Sequence, residues 1–308
     1  MKILITGGTG LIGNAIKEET QKSNHEIYFM SSKDCDLTNY DQTYIFFEKY
    51  KPEYVIHLAA NVGGLFKNMN NKINMFESNM KINMNVLEVC YKLKIYNVIS
   101  CLSTCIFPDK TTYPIDENMI HLGEPHESNY AYAYAKRMLE VQSRAYNEQY
   151  GTNYACIIPC NIYGKYDNFN LDDSHVIPAL IHKCYIAKQK NEKFIIYGSG
   201  KPLRQFIYSN DLAKIIMYLI DNNIKFDKLI ISSKYEITIK ELAENIAKKF
   251  NYDHMIEYDC SKADGQYKKT ANIDKLENII NNIEFTDIDI GLSNVIEWFK
   301  NNYDNIRK

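Results

Sequence analysis

The stretch Ile3-Leu4-Ile5-Thr6-Gly7-Gly8-Thr9-Gly10-Leu11-Ile12-Gly13 constrains this chain more than any other. Lys2–Thr6 is an apolar run of strand type, and Leu11–Gln21 has helical periodicity. Between them, Gly8, Gly10 and Gly13 satisfy G-x-G-x-x-G, and Gly7, Gly10 and Gly13 satisfy G-x-x-G-x-x-G equally well. Glycines let a backbone turn tightly and lie against a pyrophosphate, and the helix that follows offers free N–H groups to the anion. A plain glycine turn would use the same residues. The setting between strand and helix, at the head of a regular β-α series, favours a dinucleotide loop built of Gly7, Gly8, Thr9, Gly10, Leu11, Ile12 and Gly13.

The series continues with strands at Glu26–Met30, Tyr54–Leu58, Asn97–Leu102 and Tyr154–Ile158, and helices at Tyr40–Lys49, Asn74–Leu93 and Tyr132–Tyr150. Such alternation predicts an α/β fold, a Rossmann-type doubly wound parallel sheet covered on both faces. Residues 1–160 form the expected dinucleotide-binding domain. Residues 161–308 form a smaller C-terminal α/β substrate domain, with some segments returning to the first. There, His175–Lys190, Asn210–Asp221, Ile239–Phe250 and Asp289–Tyr303 read as helices and Phe194–Tyr197 as a strand, with Asn210 as an N-cap.

Net charge is −2, which attracts neither nucleic acid nor an anionic membrane. No apolar run spans a bilayer, and no secretory leader is read at the N-terminus. The eight cysteines include no C-x-x-C pair. Free thiols in a reducing, cytoplasmic setting are expected, and no metal site.

NAD enzymes place an acid at the end of the second strand to bond the ribose hydroxyls. Here that strand runs into Ser31-Ser32-Lys33. Two hydroxyls and a cation suit a 2′-phosphate, which favours NADP(H). Lys33 also reads as an ordinary exposed loop lysine, and Asp34 lies close enough to keep NAD open.

Tyr132 and Lys136 form Y-x-x-x-K, and on a helix positions i and i+4 share a face. A cation beside a phenol is expected to lower its pKa from about 10 toward neutrality. Upstream, Ser103 and Cys105 follow a strand; in an extended chain they would point into one pocket. Taken alone, Cys105 also reads as a small buried apolar residue, and Tyr130 and Tyr134 as packing or substrate-facing residues.

The glycine loop, His57-Leu58-Ala59-Ala60, Ser103 and Tyr132-x-x-x-Lys136 resemble the extended short-chain dehydrogenase/reductase family. Asn61-Val62-Gly63-Gly64, Ser103–Pro108, Asp167-Asn168-Phe169, Ser174–Pro178, Gly198-Ser199-Gly200, Arg204-Gln205-Phe206 and Asp264-Gly265-Gln266 look like the GDP-L-fucose synthase branch, in order and nearly end to end. That resemblance implies an NADPH-dependent, homodimeric 3,5-epimerase–4-reductase of GDP-4-keto-6-deoxy-D-mannose. It implies that Ser103 and Tyr132 bond the C4 keto oxygen and that Lys136 binds the nicotinamide ribose. Cys105 and His175 would exchange protons at C3 and C5. Ser32, Lys33 and Asp36 would meet the adenosine end of the cofactor. Leu58, Ala59, Ala60, Pro159, Cys160, Asn161, Ile162 and His175 would line the rest of its path. Lys183, Tyr197, Arg204 and Asp264, with Asn161, would bind the GDP-sugar. Tyr197 stands where relatives often carry Trp, and Lys183 where some carry Arg.

Protons α to a ketone are acidic, so one C4 ketone serves both epimerisations. A thiol and an imidazole on opposite faces supply the base and the acid that inversion needs. Three rival readings remain: a nucleotide-sugar 4-epimerase, a 4,6-dehydratase and a catalytically silent NADP-binding regulator. A dehydratase needs an acid and a base just after the catalytic hydroxyl, where this chain has Thr104 and Cys105. A silent regulator tends to lose the Ser, Tyr or Lys, and all are present here.

Overall fold

The computed structural model describes residues 1–262, 264 and 266–308, with only the backbone at 65 and 66. The first half alternates β1 (Lys2–Thr6), α1 (Leu11–Glu19), β2 (Glu26–Met30), α2 (Tyr40–Tyr50), β3 (Tyr54–His57), α3 (Leu65–Asn70), α4 (Lys72–Lys92), β4 (Asn97–Cys101), α5 (Tyr130–Tyr150) and β5 (Asn153–Pro159). The second half runs β6 (Asn161–Tyr163), α6 (Val176–Lys190), β7 (Phe194–Tyr197), β8 (Leu203–Tyr208), α7 (Ser209–Asp221), β9 (Lys228–Ile231), β10 (Glu236–Thr238), α8 (Ile239–Lys249), β11 (Ile256–Asp259), α9 (Asp274–Ile279) and α10 (Ile288–Asn302).

A six-stranded sheet in the order β2-β1-β3-β4-β5-β9 forms the main body, and every neighbouring pair is parallel. Its central strands are mostly apolar: Ile3, Leu4, Ile5, Val55, Ile56, Val98 and Ile99 are all fully buried, as a sheet covered on both faces requires. Helices α2, α4 and α5 pack in series, and α1 packs with α7. Strand order reverses between β1 and β3, so the crevice for a ligand opens at their C-terminal ends.

A second hydrophobic core lies beyond β5. It gathers Tyr163, Phe169, Ile181, Phe194, Phe206, Leu242, Ile246, Leu292 and Phe299 around two small sheets, β10-β8-β6 and β11-β7. The chain does not stay in this second unit. Strand β9 adds to the main sheet beside β5, with α9 against it.

Local chemistry explains several element ends. Asn39 caps α2 through Gln42, and α8 starts at a capping box of Thr238 and Glu241. Helix α5 ends at Gly151 with φ +67°. One expectation fails: Asn210 is not an N-cap. Helix α7 begins one residue earlier with Tyr208 at its cap, and the Asn210 amide donates to Glu18 over 3.0 Å, clamping α7 to α1. The short strands β6, β8, β9, β10 and β11 carry too little alternation to be read from the sequence.

Candidate active site

The glycine loop sits at the topological switch point. Gly7 takes φ +69°, and a Cβ there would lie 2.9 Å from the backbone of Ala59. A Cβ on Gly13 would collide with the Gly8 backbone, so α1 can approach the loop only with glycine at that position. Gly10 is the N-cap of α1 and makes no side-chain capping bond. The N–H groups of the first turn, from Leu11, Ile12 and Gly13, therefore face the crevice mouth as donors for an anion, beside Thr9. This cradle fits a dinucleotide pyrophosphate. Past β2, Ser31 is already engaged: its N–H and hydroxyl both donate to Asp34 at 2.7 Å. Ser32 and Lys33 beside it are exposed. Asp36 accepts from the Thr38 N–H and hydroxyl, which orders the loop below them.

A buried relay fixes the crevice to the helix opposite. The Ala59 N–H donates to Thr6 Oγ1 at 3.2 Å, and Thr6 Oγ1 lies 2.8 Å from His57 Nδ1. His57 Nε2 meets Asn83 Oδ1 at 3.1 Å, and the Asn83 amide donates to the Ala135 carbonyl at 3.3 Å. Asn83 Oδ1 can only accept, so His57 donates through Nε2 and receives the Thr6 hydroxyl proton at Nδ1. Burial, aided by nearby Lys136, pushes the His57 pKa down to about 3 and keeps the ring neutral. Leu58, Ala59 and Ala60 continue from this anchor along the crevice, partly exposed.

Ala135 precedes Lys136 on α5. Lys136 is buried, and its ammonium donates to the Cys101 carbonyl at 2.7 Å while lying 5.9 Å from the Tyr132 ring centroid. The pairing of Tyr132 with Lys136 on one helical face holds, but its expected electrostatic result does not. Burial raises the Tyr132 pKa well above 10, with the Cys105 and Cys101 thiols adding to it. Desolvation also weakens the cation itself, lowering the Lys136 pKa. Burial therefore holds the phenol protonated.

Ser103 and Cys105 come together by a route the sequence does not suggest. Ser103 is extended, but Thr104–Ile106 turns as a 3-10 helix, and Ser103 Oγ accepts from the Cys105 N–H at 3.4 Å. Cys105 is half-buried, whereas Cys35, Cys90, Cys101, Cys156, Cys160 and Cys184 are buried; all are free thiols. Burial raises the Cys105 pKa, opposed by Ser103, Lys269 and Lys136. Pro159 ends β5, and Cys160, Asn161 and Ile162 follow it at the same edge of the sheet. The Asn161 amide donates to the Gln205 carbonyl at 2.8 Å. His175 caps α6 without a side-chain capping bond. The residue is exposed, yet the surrounding protein desolvates its ring enough to lower its pKa, against the pull of Asp173. Tyr130 and Tyr134 instead line a groove between α4 and α5.

The candidate substrate residues cluster on the second unit. Lys183 Nζ lies 3.6 Å from the centroid of the Tyr197 ring, which is 48% exposed. Arg204 is held by backbone carbonyls of Leu203 at 2.7 Å and Gln266 at 2.6 Å. Both carboxylate oxygens of Asp264 accept from Ser199, from its N–H at 2.6 Å and its hydroxyl at 2.7 Å. Gly265 of the Asp264-Gly265-Gln266 motif lies outside the described residues. The sequence does not mark out Lys269, whose pKa burial lowers and whose ammonium is close enough to feel both Cys105 and Arg204. The only sequence cue was its place just after that motif. Among the described residues, no His, Cys, Asp or Glu cluster could hold a metal ion, and no helix is long and apolar enough to cross a membrane.

A dinucleotide cradle at the switch point, with a Ser, Tyr and Lys set beside it, defines a short-chain dehydrogenase type of site, and the chain belongs to the NAD dependent epimerase/dehydratase family, which it matches over residues 3–231. Within that family it is similar from end to end to GDP-L-fucose synthases. It is 51% identical to "GDP-L-fucose synthase" of Dictyostelium discoideum, covering 99% of this chain and 97% of the other. It is 46% identical to "Probable GDP-L-fucose synthase" of Drosophila melanogaster, covering 100% and 99%. Its fold superposes on a GDP-L-fucose synthetase from Naegleria fowleri bound to NADP with a TM-score of 0.93, at 43% identity over 100% of this chain and 95% of the other.

Proposed function

We propose that this chain converts GDP-4-keto-6-deoxy-D-mannose to GDP-L-fucose by 3,5-epimerisation and reduction of the C4 ketone, with NADP(H) as its cofactor. The observation that carries this reading is the meeting of Ser103, Cys105, Tyr132 and Lys136 at the C-terminal end of β4, next to a dinucleotide cradle. Thr104 and Cys105 stand where a dehydratase needs an acid and a base.

Bound NADPH supplies the hydride that reduces C4. The protein does the rest. The cradle of Gly7–Gly13 holds the pyrophosphate, and Ser32 and Lys33 hold the 2′-phosphate. Asp36 meets the adenine, and Leu58–Ala60 with Pro159–Ile162 line the path to the nicotinamide. Lys136 orients the ribose. Ser103 and Tyr132 donate hydrogen bonds to O4, which stabilises negative charge there while a proton leaves C3 or C5. Cys105 and His175 work on opposite faces of the sugar, one taking a proton from carbon as the other returns one. Tyr132, which burial keeps protonated, then gives its proton to O4 as the ketone is reduced. Lys183 and Arg204 bind the diphosphate, and Tyr197, Asn161 and Asp264 the remainder of the GDP-sugar, so residues 161–308 act mainly as the substrate domain and 1–160 as the NADP domain.

The working form is a homodimer. Its support is an apolar groove between α4 and α5 lined by Ile73, Phe76, Tyr130, Tyr134 and Met138, with Ile73 72% exposed. A cytoplasmic setting suits the eight free thiols.

Incubating the purified protein with GDP-4-keto-6-deoxy-D-mannose and NADPH tests the function. Loss of absorbance at the nicotinamide band with GDP-L-fucose as product is the expected result. Bound NADP with no oxidation would show a silent regulator instead.

A further inference from the structure

Arg137 is a cation that the reaction described above leaves without a task. It follows Lys136 on α5 and is only 4% exposed. Its Nε donates to the Ile106 carbonyl over 2.6 Å. Ile106 closes the 3-10 turn whose middle residue is Cys105. The guanidinium carbon lies 5.3 Å from the Tyr134 ring centroid, and Nη2 is enclosed with no hydrogen-bond partner among the described residues. The groups that favour its charge are the Tyr134 phenol and the Cys105 thiol, not a carboxylate. Burying a guanidinium without a counter-charge is costly, so its retention here calls for a compensating role.

We propose that Arg137 is a positioning residue for proton exchange at Cys105, tying the Cys105 turn to the helix that carries Tyr132 and Lys136 and holding a fixed positive charge beside the thiol. This rests on the assignment of Cys105 to proton exchange. The thiolate, not the thiol, takes a proton from carbon, and burial disfavours the thiolate here. The groups facing Cys105 are Ser103 from its own loop, Tyr132, Lys136 and Arg137 from α5, and Lys269 from the segment after β11. Among the three cations, Arg137 is the one anchored to the turn itself, through a planar group whose direction the Ile106 carbonyl sets. A turn fixed in this way keeps the sulfur at one height over the sugar ring.

Three variants separate tether from charge. Arg137→Lys keeps a donor and a charge, Arg137→Gln keeps a donor alone, and Arg137→Met keeps neither. One readout is deuterium uptake at C3 and C5 of GDP-4-keto-6-deoxy-D-mannose in D2O without NADPH. The other is the pH profile of Cys105 alkylation by iodoacetamide, followed by peptide mass spectrometry with exposed Cys260 as internal reference. Arg137→Gln and Arg137→Met are expected to move the Cys105 profile to higher pH relative to Cys260. Uptake should fall about tenfold or more in Arg137→Met and be largely restored in Arg137→Lys. If Arg137→Met does not fold, the comparison of Gln with Lys carries the test. An unmoved Cys105 profile, or wild-type uptake, in Arg137→Gln overturns the proposal. Cys105→Ser measured alongside separates the two ideas. Uptake retained in Cys105→Ser sinks the role of Cys105 itself, whereas uptake lost there but intact in the Arg137 variants sinks only the role of Arg137.

Discussion

The Gly64 N–H donates to the Asp173 carbonyl over 2.7 Å, joining the loop after β3 to the residue two places before His175. The Asn68 side chain holds the same loop from α3, donating to the carbonyls of Gly63 at 2.7 Å and Gly64 at 3.0 Å. A Cβ on Gly64 would lie 2.7 Å from the Ser174 carbonyl oxygen. The imidazole assigned to proton exchange thus takes its height from a dinucleotide-side loop, although it belongs to the second unit. Gly64→Ala should push Ser174 away and lower kcat/KM for epimerisation by about tenfold or more. NADPH affinity, read by fluorescence titration, should stay at the wild-type value; an equal loss there would point to general damage instead.

Cys105→Ser and His175→Gln should each abolish deuterium uptake at C3 and C5 while NADPH still binds. General acid–base groups of this kind contribute about 10²–10⁴ in rate. Normal GDP-L-fucose formation by either variant would remove that residue from the mechanism.

Tyr132→Phe separates the two halves of the reaction. Epimerisation needs O4 polarised and a base at carbon, and Ser103 can still polarise O4. Reduction needs a proton at O4. Deuterium uptake is expected to persist in Tyr132→Phe while NADPH oxidation falls by about 10² or more. Turnover near wild type would exclude Tyr132 as the donor.

Asp167 predicts a pH effect on stability. Burial pushes its carboxyl from 3.8 up to about 7, and its Oδ2 has no partner among the described residues. The folded state therefore binds this proton more tightly than the unfolded chain does between those pH values. Stability contributed by the protonated carboxyl is present at low pH and is lost as pH rises through about 7. Asp167→Asn should raise the melting temperature at pH 8, on the order of a few kcal/mol in stability, and the gain should fade below pH 4. A gain of equal size at pH 4 and pH 8 would refute the linkage.

Ile73→Glu tests the association of two copies. Placing a carboxylate in the α4–α5 groove should shift the protein from dimer to monomer in light scattering, with the fold unchanged by circular dichroism. A monomeric wild-type protein would remove the homodimer.

The sequence alone determined five of the six strands of the main sheet and, through its motifs, pointed to the chemistry. Long apolar runs and a glycine loop at fixed spacing leave few other ways to bury β1 to β5. Tyr132 and Lys136 share a helix, so their spacing was enough to pair them. It could not say that burial would outweigh the lysine at Tyr132, because desolvation depends on every atom packed around the phenol and not on a neighbour four residues away. The same holds for Ser103 and Cys105, whose meeting comes from a 3-10 turn rather than an extended strand. Arg137 and Lys269 were illegible for a related reason: each looks like a surface cation in sequence, and only long-range packing encloses it beside Cys105. Tertiary structure decided the electrostatics and the reach between units, such as Gly64 to Asp173, because those quantities are set by contacts far apart along the chain.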